Sequence, residues 1–433
     1  MYIDMFEKIV DVMHHDYSGF LDKKGWDQPE LFRKKIETLD PATPESRAAF
    51  TAIVKDYLLD FRDRHVSFTV ADRNGSPAEW AGLRVRRYRG FLYITESEDT
   101  RFQAGDKIIS VDGKRIPEAA DIYARKLYQE KEARQDWNPV LLLAGVIEVE
   151  HSSGERTVYE IHRKKKPVYT PEYSSKEIEP GIHLIKLTDF ADPDAVYQLF
   201  KKHAEAYESA KALIFDVRVN YGGSDSSYYP FFPFIFGTEE IDPSEMSPEM
   251  LFNCTERTAQ NQLAELNEAL NAVEEEETRK ILSFFVEQWQ EKRDSGFQRF
   301  PFEQVMKVDK ISGYERPEHI FVLSDIYCRS SGDSFVETVK WSEKVTVIGR
   351  STMGINDYSN VASLNLGEGF VLGYPTSKLV YQNPDHYQTG RGIEPDVYIE
   401  WSPEHLGRDV DLEAVMDRLK SVTGQYEGSG EMR

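Results

Sequence analysis

The chain has 433 residues, of which 40% are hydrophobic and 12% aromatic, so it is long enough for two or three domains and apolar enough to fold. A formal net charge of −22 argues against nucleic acid or an anionic membrane as a partner, because both attract basic surfaces. The two cysteines, Cys254 and Cys328, cannot make a disulfide framework and fit a reducing compartment.

The sequence contains no apolar run of membrane-spanning length, so we expect no membrane partner. Residues 1–8 have neither a basic segment nor a continuous apolar stretch, which is unlike a secretory signal. We therefore expect a cytoplasmic location.

Residues 1–72 are predicted to form an N-terminal helical region, because apolar residues recur there at helical spacing. The pattern changes to alternating apolar residues just after His65, which marks a corner between a helix and a strand. A lone histidine is most often structural, and a catalytic role is the alternative.

Residues 73–168 are predicted to form a β-rich module of short strands, with a hairpin turn at Asp112–Gly113. The phrase at 104–114, AGDKIISVDGK, resembles the signature of PDZ domains, which bind an extended peptide as an added strand. The alternative is a β-barrel spacer.

Residues 169–433 alternate strand and helix patterns, which predicts an α/β core with parallel strands. Asp216 and Arg218, at the tail of an apolar strand, are costly to bury unpaired, so we expect them to make structural hydrogen bonds or ion pairs. Gly222 and Gly223 follow and would let backbone amides approach a ligand closely. The turn is not a phosphate loop, because no Lys-Ser/Thr pair ends it.

Residues 238–318 interrupt this core and are predicted to be a helical insertion, opening at 242–244, that could cover a cleft. Their acidic run, 274–277, is most simply a solvated helix face. Further along, segments 369–374 and 378–381 predict a hairpin or meander, and the residues from Gln425 onward are expected to fray.

A strand at 320–323, a turn carrying Ser330 and Ser331, and a helix beginning at that turn would suit a serine nucleophile. The free N–H groups and positive dipole end of the helix would face a developing oxyanion. The alternative is that one of these serines is simply an N-cap.

Four phrases in order resemble the carboxyl-terminal processing protease family, which includes tail-specific proteases, the tricorn protease core and the retinoid-binding repeats of the eye. They are DVRVNYGG at 216–223, SSGDSF at 330–335, GRSTMG at 349–354 and GIEPD at 392–396. The resemblance implies an α/β fold in which a ClpP/crotonase-like core with a mixed, largely parallel sheet follows the helical region and the PDZ-like module.

The resemblance also implies a serine endopeptidase acting on peptides or unfolded protein. Ser330 aligns with the family's nucleophile, and the amide of Ser331 with one oxyanion donor. The amide of Gly222 or Gly223 aligns with the other donor. Such a site needs a base and two preorganised donors.

The base is where this sequence departs from the tail-specific branch, since Ile355 stands at the position of that branch's catalytic Lys. His65 resembles the placement of the base in the tricorn-like branch. That branch also carries a Glu where this chain has Thr389, beside Gln388. A neutral group orients an imidazole less strongly than a carboxylate, so Gln388, Thr389 and Asp357 remain candidates for the orienting group.

Two functions therefore compete. One is a serine endopeptidase with Ser330 as nucleophile and His65 as base, and the other is a catalytically silent relative that binds peptides or an apolar ligand in the same cleft. A thiol enzyme using Cys328 is disfavoured, because that residue precedes the helix start. The histidines show no metal-ligand spacing, so no metal and no cofactor are expected, and self-association into a homo-oligomer stays open.

Overall fold

The computed structural model describes residues 1–70, 79–128, 131–238, 240–242, 246, 248–305 and 310–427. The chain divides into two compact units. The first unit comprises Met1–Gly75, Glu240–Ile311 and Gly354–Thr389, and the second comprises Ser76–Glu239, Ser312–Met353 and Gly390–Arg433.

The helices, in chain order, are α1 (Tyr2–His15), α2 (Pro29–Glu37), α3 (Pro44–Leu58), α4 (Ile116–Ile122), α5 (Ala124–Leu127), α6 (Asn138–Leu143), α7 (Pro193–Glu208), α8 (Phe232–Ile235), α9 (Glu256–Ala272), α10 (Glu276–Glu291), α11 (Ser331–Val339) and α12 (Val410–Glu427). The strands are β1 (Ser67–Val70), β2 (Glu79–Trp80), β3 (Leu83–Tyr88), β4 (Phe91–Ser97), β5 (Lys107–Val111), β6 (Lys114–Arg115), β7 (Val146–Glu150), β8 (Arg156–Glu160), β9 (Lys164–Lys165), β10 (Tyr173–Glu179), β11 (Ile182–Leu187), β12 (Ala212–Asp216), β13 (Val219–Asn220), β14 (Glu249–Cys254), β15 (Gly296–Arg299), β16 (His319–Ser324), β17 (Tyr327–Cys328), β18 (Val345–Gly349), β19 (Tyr358–Gly367), β20 (Phe370–Val380) and β21 (Val397–Tyr398).

The first unit is built on an aromatic core that its N-terminal helices share with an antiparallel sheet. Phe6 of α1 packs edge-on against Tyr57 of α3, and both are fully buried. Phe50 of α3 contacts Phe68 of β1 and Phe370 of β20 in the same way. The sheet runs in the order β1-β20-β14-β15, with β19 also paired to β20. Helices α1, α2 and α3 lie within residues 1–72, the region predicted to be helical, together with strand β1.

A single long strand, β20, replaces the two short strands predicted at 369–374 and 378–381. It forms a hairpin with β19, and Pro375 lies in its middle. On the other side of β20 the partner strands β1 and β14 stop short of Pro375, so this residue, which has no N–H, falls in the gap between them. Its carbonyl accepts a hydrogen bond from the Ser18 N–H at 3.0 Å.

The predicted helical insertion at 238–318 contains strands as well as helices. Helices α9 and α10 occupy its middle, and β14 and β15 flank them as an antiparallel pair. Phe252, Trp289 and Phe300 form an aromatic cluster that packs the helices on this pair. Of the predicted opening at 242–244, residues 243 and 244 lie outside the described residues.

The second unit has a mixed α/β fold around a sheet in the order β10-β11-β12-β16-β18-β21. The β10–β11 pair is antiparallel and the remaining pairs are parallel. Val415 and Leu419 of α12 pack against Ile214 and Phe321 from the middle of the sheet. The predicted mixed, largely parallel sheet is confirmed.

The same unit contains an antiparallel sheet in the order β3-β4-β5-β7-β8, with β6 paired to β5. Its own core includes Leu92, Ile108 and Trp137, which are all buried. The predicted turn at Asp112–Gly113 joins β5 to β6, and both residues have positive φ, as a tight hairpin requires. The predicted boundary at residue 73 lies outside the described residues, as do residues 428–433, so the domain limits stay a prediction.

Candidate active site

Two loops of the second unit are held together at the carboxyl ends of its parallel strands. The serine loop, residues 325–330, follows β16, and the glycine turn, residues 221–224, follows β13. Asn220 of β13 pairs in parallel with Cys328 of β17. The Arg329 N–H then donates to the Asn220 carbonyl at 2.9 Å. This short ladder sets the serine loop beside the glycine turn.

Ser330 occupies the N-cap position of α11 in an uncommon backbone conformation. Its φ is 56° and its ψ is −122°, and its N–H donates to the Asp333 carboxylate at 2.8 Å. Non-glycine residues in sparsely populated backbone regions are held there by their surroundings and cluster at functional sites. The side chain is partly exposed, so a reagent can reach it.

The two glycines of the turn have different environments. Gly222 is buried, has φ +78° and donates its N–H to the Asn220 side-chain oxygen at 3.0 Å. A Cβ placed on Gly222 would lie 2.7 Å from the Ser330 Cβ, so this turn is in direct contact with Ser330. Gly223 is exposed, with φ +147°, and a Cβ there would collide with the Phe190 backbone. Both positions therefore require glycine.

Ser331 is the first residue of α11 and is buried. Its hydroxyl donates to the Asp225 carboxylate, which lies just past the glycine turn. This bond ties the first residue of α11 to the loop that follows the glycine turn. Asp225 could not be identified from the sequence, because no motif includes it.

The thiol of Cys328 is fully buried. Burial raises the pKa of this thiol well above its ordinary value, and the nearby carboxylates of Asp333 and Asp325 raise it further. A thiol that stays protonated is a poor nucleophile. The geometry therefore argues against a thiol enzyme.

Asp216 and Arg218 form the ion pair expected from the sequence. The guanidinium of Arg218 lies 2.7 Å from the Asp216 carboxylate, and it also contacts Asp409 and Asp411 near the start of α12. These bonds tie the end of β12 to the C-terminal helix. The role of both residues is structural.

His65 belongs to the first unit and lies in the loop before β1. Its Nδ1 is 2.6 Å from the Tyr358 carbonyl oxygen, and its backbone N–H donates to the Asp63 carboxylate at 2.9 Å. A carbonyl can only accept, so Nδ1 carries the proton and Nε2 is the acceptor nitrogen of the neutral ring. This is the tautomer that a general base requires.

The three candidate orienting residues form a hydrogen-bonded group of their own. The Asp357 carboxylate accepts from the backbone N–H of Gln388 at 2.9 Å and from that of Thr389 at 2.7 Å, and the Thr389 hydroxyl donates to it as well. Burial raises the pKa of Asp357, while these donors act in the opposite direction. The observed partner of the His65 ring is instead Tyr358, which sequence reasoning missed because any residue can supply a backbone carbonyl.

The structure thus brings Ser330, Ser331, Gly222 and Gly223 together in the second unit. His65, Asp357, Gln388 and Thr389 belong to the first unit. Within the described ranges no cluster of His, Cys, Asp and Glu is arranged to hold a metal ion. No helix among those same residues is both long and apolar enough to cross a membrane.

Comparison with known proteins gives a family and a fold. The family model described as Peptidase family S41 matches residues 181–399. No curated protein sequence matches the chain.

Among solved structures, mature CPAF complexed with lactacystin is 13% identical with a TM-score of 0.65, and 97% of each chain is covered. A second structure of mature CPAF is 12% identical with a TM-score of 0.64 and covers 100% of this chain and 98% of that one. At this identity the similarity concerns the fold alone. The photosystem II D1 C-terminal processing protease is 15% identical with a TM-score of 0.45, covering 93% of this chain and 94% of that one.

Proposed function

Because this chain belongs to peptidase family S41 and is a serine-type peptidase, we propose that it cleaves peptide bonds as an endopeptidase through an acyl-enzyme formed on Ser330. The observation that carries the proposal is the contact between the glycine turn and Ser330, at the start of α11. A nucleophile in that position attacks a carbonyl whose oxygen can turn toward backbone N–H groups.

The oxyanion donors we propose are the amides of Ser331 and Gly223. Ser331 opens α11, where N–H groups lack intrahelical acceptors and the helix dipole favours negative charge. Of the two glycines, Gly222 already donates its N–H to Asn220, whereas Gly223 is exposed. This difference favours Gly223 as the second donor.

The base we propose is His65, on the strength of its place in the sequence pattern. The hydrogen bond from Nδ1 to the Tyr358 carbonyl supports this role, because it leaves Nε2 free to accept a proton. A carbonyl orients the ring but adds less stabilisation to an imidazolium than a carboxylate would. We therefore expect a slower acylation than a site with a carboxylate partner would reach.

The proposed substrate is a peptide or an unfolded protein. We propose that the β-rich module is PDZ-like and binds a chain terminus as an added strand, which the phrase at 104–114 and the open edge strand β8 support. We also assign the mixed sheet with α7, α11 and α12 to the ClpP/crotonase-like class, because parallel neighbours joined by helices are its pattern.

A fluorophosphonate probe tests the nucleophile and the base together. We expect the native chain to be labelled at Ser330, with labelling abolished in Ser330→Ala and strongly reduced in His65→Ala. His15→Ala is the matched control, because His15 is an exposed histidine on α1 of the same unit. Mass spectrometry of the labelled peptide identifies the modified residue.

The same experiment decides between the two functions. Absence of labelling in a chain whose circular dichroism and unfolding transition are those of a folded protein would favour the catalytically silent alternative. Ile355 and Thr389, at the positions of the family's Lys and Glu, are the features that favour that alternative. Labelling that persists in His65→Ala would remove His65 as the base while leaving Ser330 as the nucleophile.

A further inference from the structure

A buried charged network lies beneath His65 in the first unit. Asp63 accepts the His65 N–H with one carboxylate oxygen, and its other oxygen accepts the Tyr17 hydroxyl at 2.7 Å. The ammonium of Lys23 donates to the same Tyr17 hydroxyl at 2.6 Å and lies 3.6 Å from Asp63. Lys23 is only 3% exposed and Asp63 only 5%.

The same ammonium also contacts Tyr358, the residue whose carbonyl binds the imidazole. Lys23 lies over the ring of Tyr358 at 4.2 Å from its centroid, and the Tyr358 carbonyl accepts the Nδ1 proton of His65. The ring of Tyr17 packs against Tyr358 with centroids 5.6 Å apart. Lys23 and Tyr17 therefore contact both hydrogen-bond partners of His65.

Burying the Lys23 ammonium in this aromatic core is energetically unfavourable, so packing alone explains the network poorly. Removing an ammonium from water is unfavourable, and its pairing and hydrogen bonds must offset that loss. Burial lowers the pKa of Lys23, and the carboxylates of Asp63, Asp357 and Asp22 act in the opposite direction. An apolar side chain would fill the same space in this aromatic core without that cost.

We propose that Lys23 and Tyr17 are positioning residues for His65: through Asp63 and Tyr358 they hold the imidazole with Nδ1 as donor and Nε2 as proton acceptor. The inference rests on the proposed function, because it assigns a purpose to the network only if His65 is the base. Lys23 and Tyr17 do not touch the reacting atoms in this proposal. They act through Asp63, which binds the backbone N–H of His65, and through Tyr358, whose carbonyl binds the ring.

Tyr17→Phe tests the inference in the full-length chain, since it removes only the hydroxyl that joins Lys23 to Asp63. Tyr57→Phe is the matched control: Tyr57 is also fully buried in the helical region, and its hydroxyl also donates to a carboxylate, that of Asp27, at 2.7 Å. Tyr17→Phe loses two hydrogen bonds, one to Asp63 and one from Lys23, and Tyr57→Phe loses one, so the melting temperature should fall further in Tyr17→Phe. We expect only Tyr17→Phe to slow fluorophosphonate labelling of Ser330, by about tenfold or more.

A spectroscopic measurement separates positioning from stability. In protein carrying ¹⁵N-labelled histidine, the signals of the neutral His65 ring, assigned with His65→Gln, should show protonated Nδ1 and unprotonated Nε2. In Tyr17→Phe and in Lys23→Met these signals should shift toward a mixture of tautomers, and in Tyr57→Phe they should not. Lys23→Met keeps the inference testable if Tyr17→Phe does not fold.

These experiments distinguish a failure of the inference from a failure of the proposed function. Labelling at the wild-type rate and unshifted ring signals in both Tyr17→Phe and Lys23→Met would overturn the inference, while the proposed function would stand if labelling still depends on His65. If His65→Ala is labelled as fast as the native chain, the base assignment fails and the positioning role fails with it.

Discussion

Gly222 and Ser330 are in van der Waals contact across two loops that are more than a hundred residues apart in the chain. A Cβ on Gly222 would lie 2.7 Å from the Ser330 Cβ, 3.2 Å from its hydroxyl oxygen and 3.0 Å from the Arg329 carbonyl. Real Cβ atoms do not approach that closely, so a side chain at Gly222 must displace the serine loop. The glycine turn therefore limits the position of Ser330, the candidate nucleophile.

The first prediction is that Gly222→Ala abolishes labelling of Ser330 by a fluorophosphonate. Displacing a reacting group by about 1 Å can lower a rate by about 100-fold, and the clash with Ser330 requires a shift of that order. The measurement is the second-order rate constant of labelling.

Gly154→Ala is the matched control for this prediction. Gly154 has a similar positive φ of +85°, against +78° for Gly222, but a Cβ there meets no atom within 4 Å. Both variants should lose about 1–2 kcal/mol from the unfavourable backbone conformation, and only Gly222→Ala should lose labelling. Equal labelling rates in the two variants would mean that the contact between Gly222 and Ser330 does not affect the reactivity of Ser330.

The elements around Ser330 could be predicted from the sequence because few residue types satisfy the local constraints. Only glycine fits the positive φ and close packing of Gly222 and Gly223. An apolar run bounded by turn residues is a further signal, and the strand predicted at 320–323 corresponds to β16, His319–Ser324.

Other features had no local signal. Proline is uncommon inside a strand, yet β20 continues through Pro375 and joins the two segments predicted at 369–374 and 378–381. Pro375 is accommodated because it faces a gap between two partner strands, a fact that depends on the whole sheet. The partners of His65 were missed for a similar reason: Tyr358 contributes a backbone carbonyl, and Lys23 lies 42 residues away in the chain.

The second prediction distinguishes the two adjacent serines. Ser331→Ala should still be labelled, at a moderately reduced rate, because the Ser331 hydroxyl is bound to Asp225 and serves to fix the start of α11. Removing it leaves Asp225 without that donor and should lower the free energy of unfolding by about 1–3 kcal/mol. Urea unfolding and the labelling rate are the two measurements. Loss of labelling in Ser331→Ala with retention in Ser330→Ala would reverse the assignment.

The third prediction concerns Asn220, which is fully buried between two backbone groups. Its side-chain oxygen accepts the Gly222 N–H, and its side-chain nitrogen donates to the Leu187 carbonyl, each at 3.0 Å. Asn220→Asp keeps the acceptor but replaces the donor with a charged oxygen that faces a carbonyl. We expect a loss of about 1–3 kcal/mol in the free energy of unfolding, together with slower labelling.

Asn138→Asp is the comparison for this third prediction, since Asn138 is exposed in the same unit. Its side-chain nitrogen donates to the Asp136 carboxylate at 2.8 Å at the exposed surface, so its change in the free energy of unfolding should stay within about 1 kcal/mol. If Asn220→Asp were as stable and as reactive as Asn138→Asp, the glycine turn would not depend on the Asn220 side chain.

The fourth prediction concerns the charged centre at the beginning of the serine loop. Asp325 is 4% exposed and lies between two guanidinium groups, with Arg86 donating to both carboxylate oxygens at 3.0 and 2.6 Å and Arg350 at 2.9 Å. Burial alone would raise the pKa of Asp325, but the two arginines outweigh it and hold the pKa below the ordinary value. Asp325→Asn takes the carboxylate from buried Arg86, while Arg350 keeps its ion pair with Asp411, and should cost about 3–5 kcal/mol at neutral pH.

The sign of the pKa shift sets the pH dependence of that loss. Because the folded-state pKa of Asp325 is depressed, its stabilisation is fully present above the ordinary value of 3.8 and is lost as the pH falls through the folded-state value. The difference in unfolding free energy between the native chain and Asp325→Asn should therefore be constant near neutral pH and shrink in acid below that ordinary value.

Asp99→Asn is the control: Arg101 lowers the pKa of Asp99 to about 2, yet this pair is partly exposed, so its removal should cost no more than about 1 kcal/mol. Urea titrations of the three proteins, from neutral pH to below the ordinary pKa, measure both effects. A loss of unfolding free energy in Asp325→Asn that is small or independent of pH would show that the two arginines do not depend on this carboxylate.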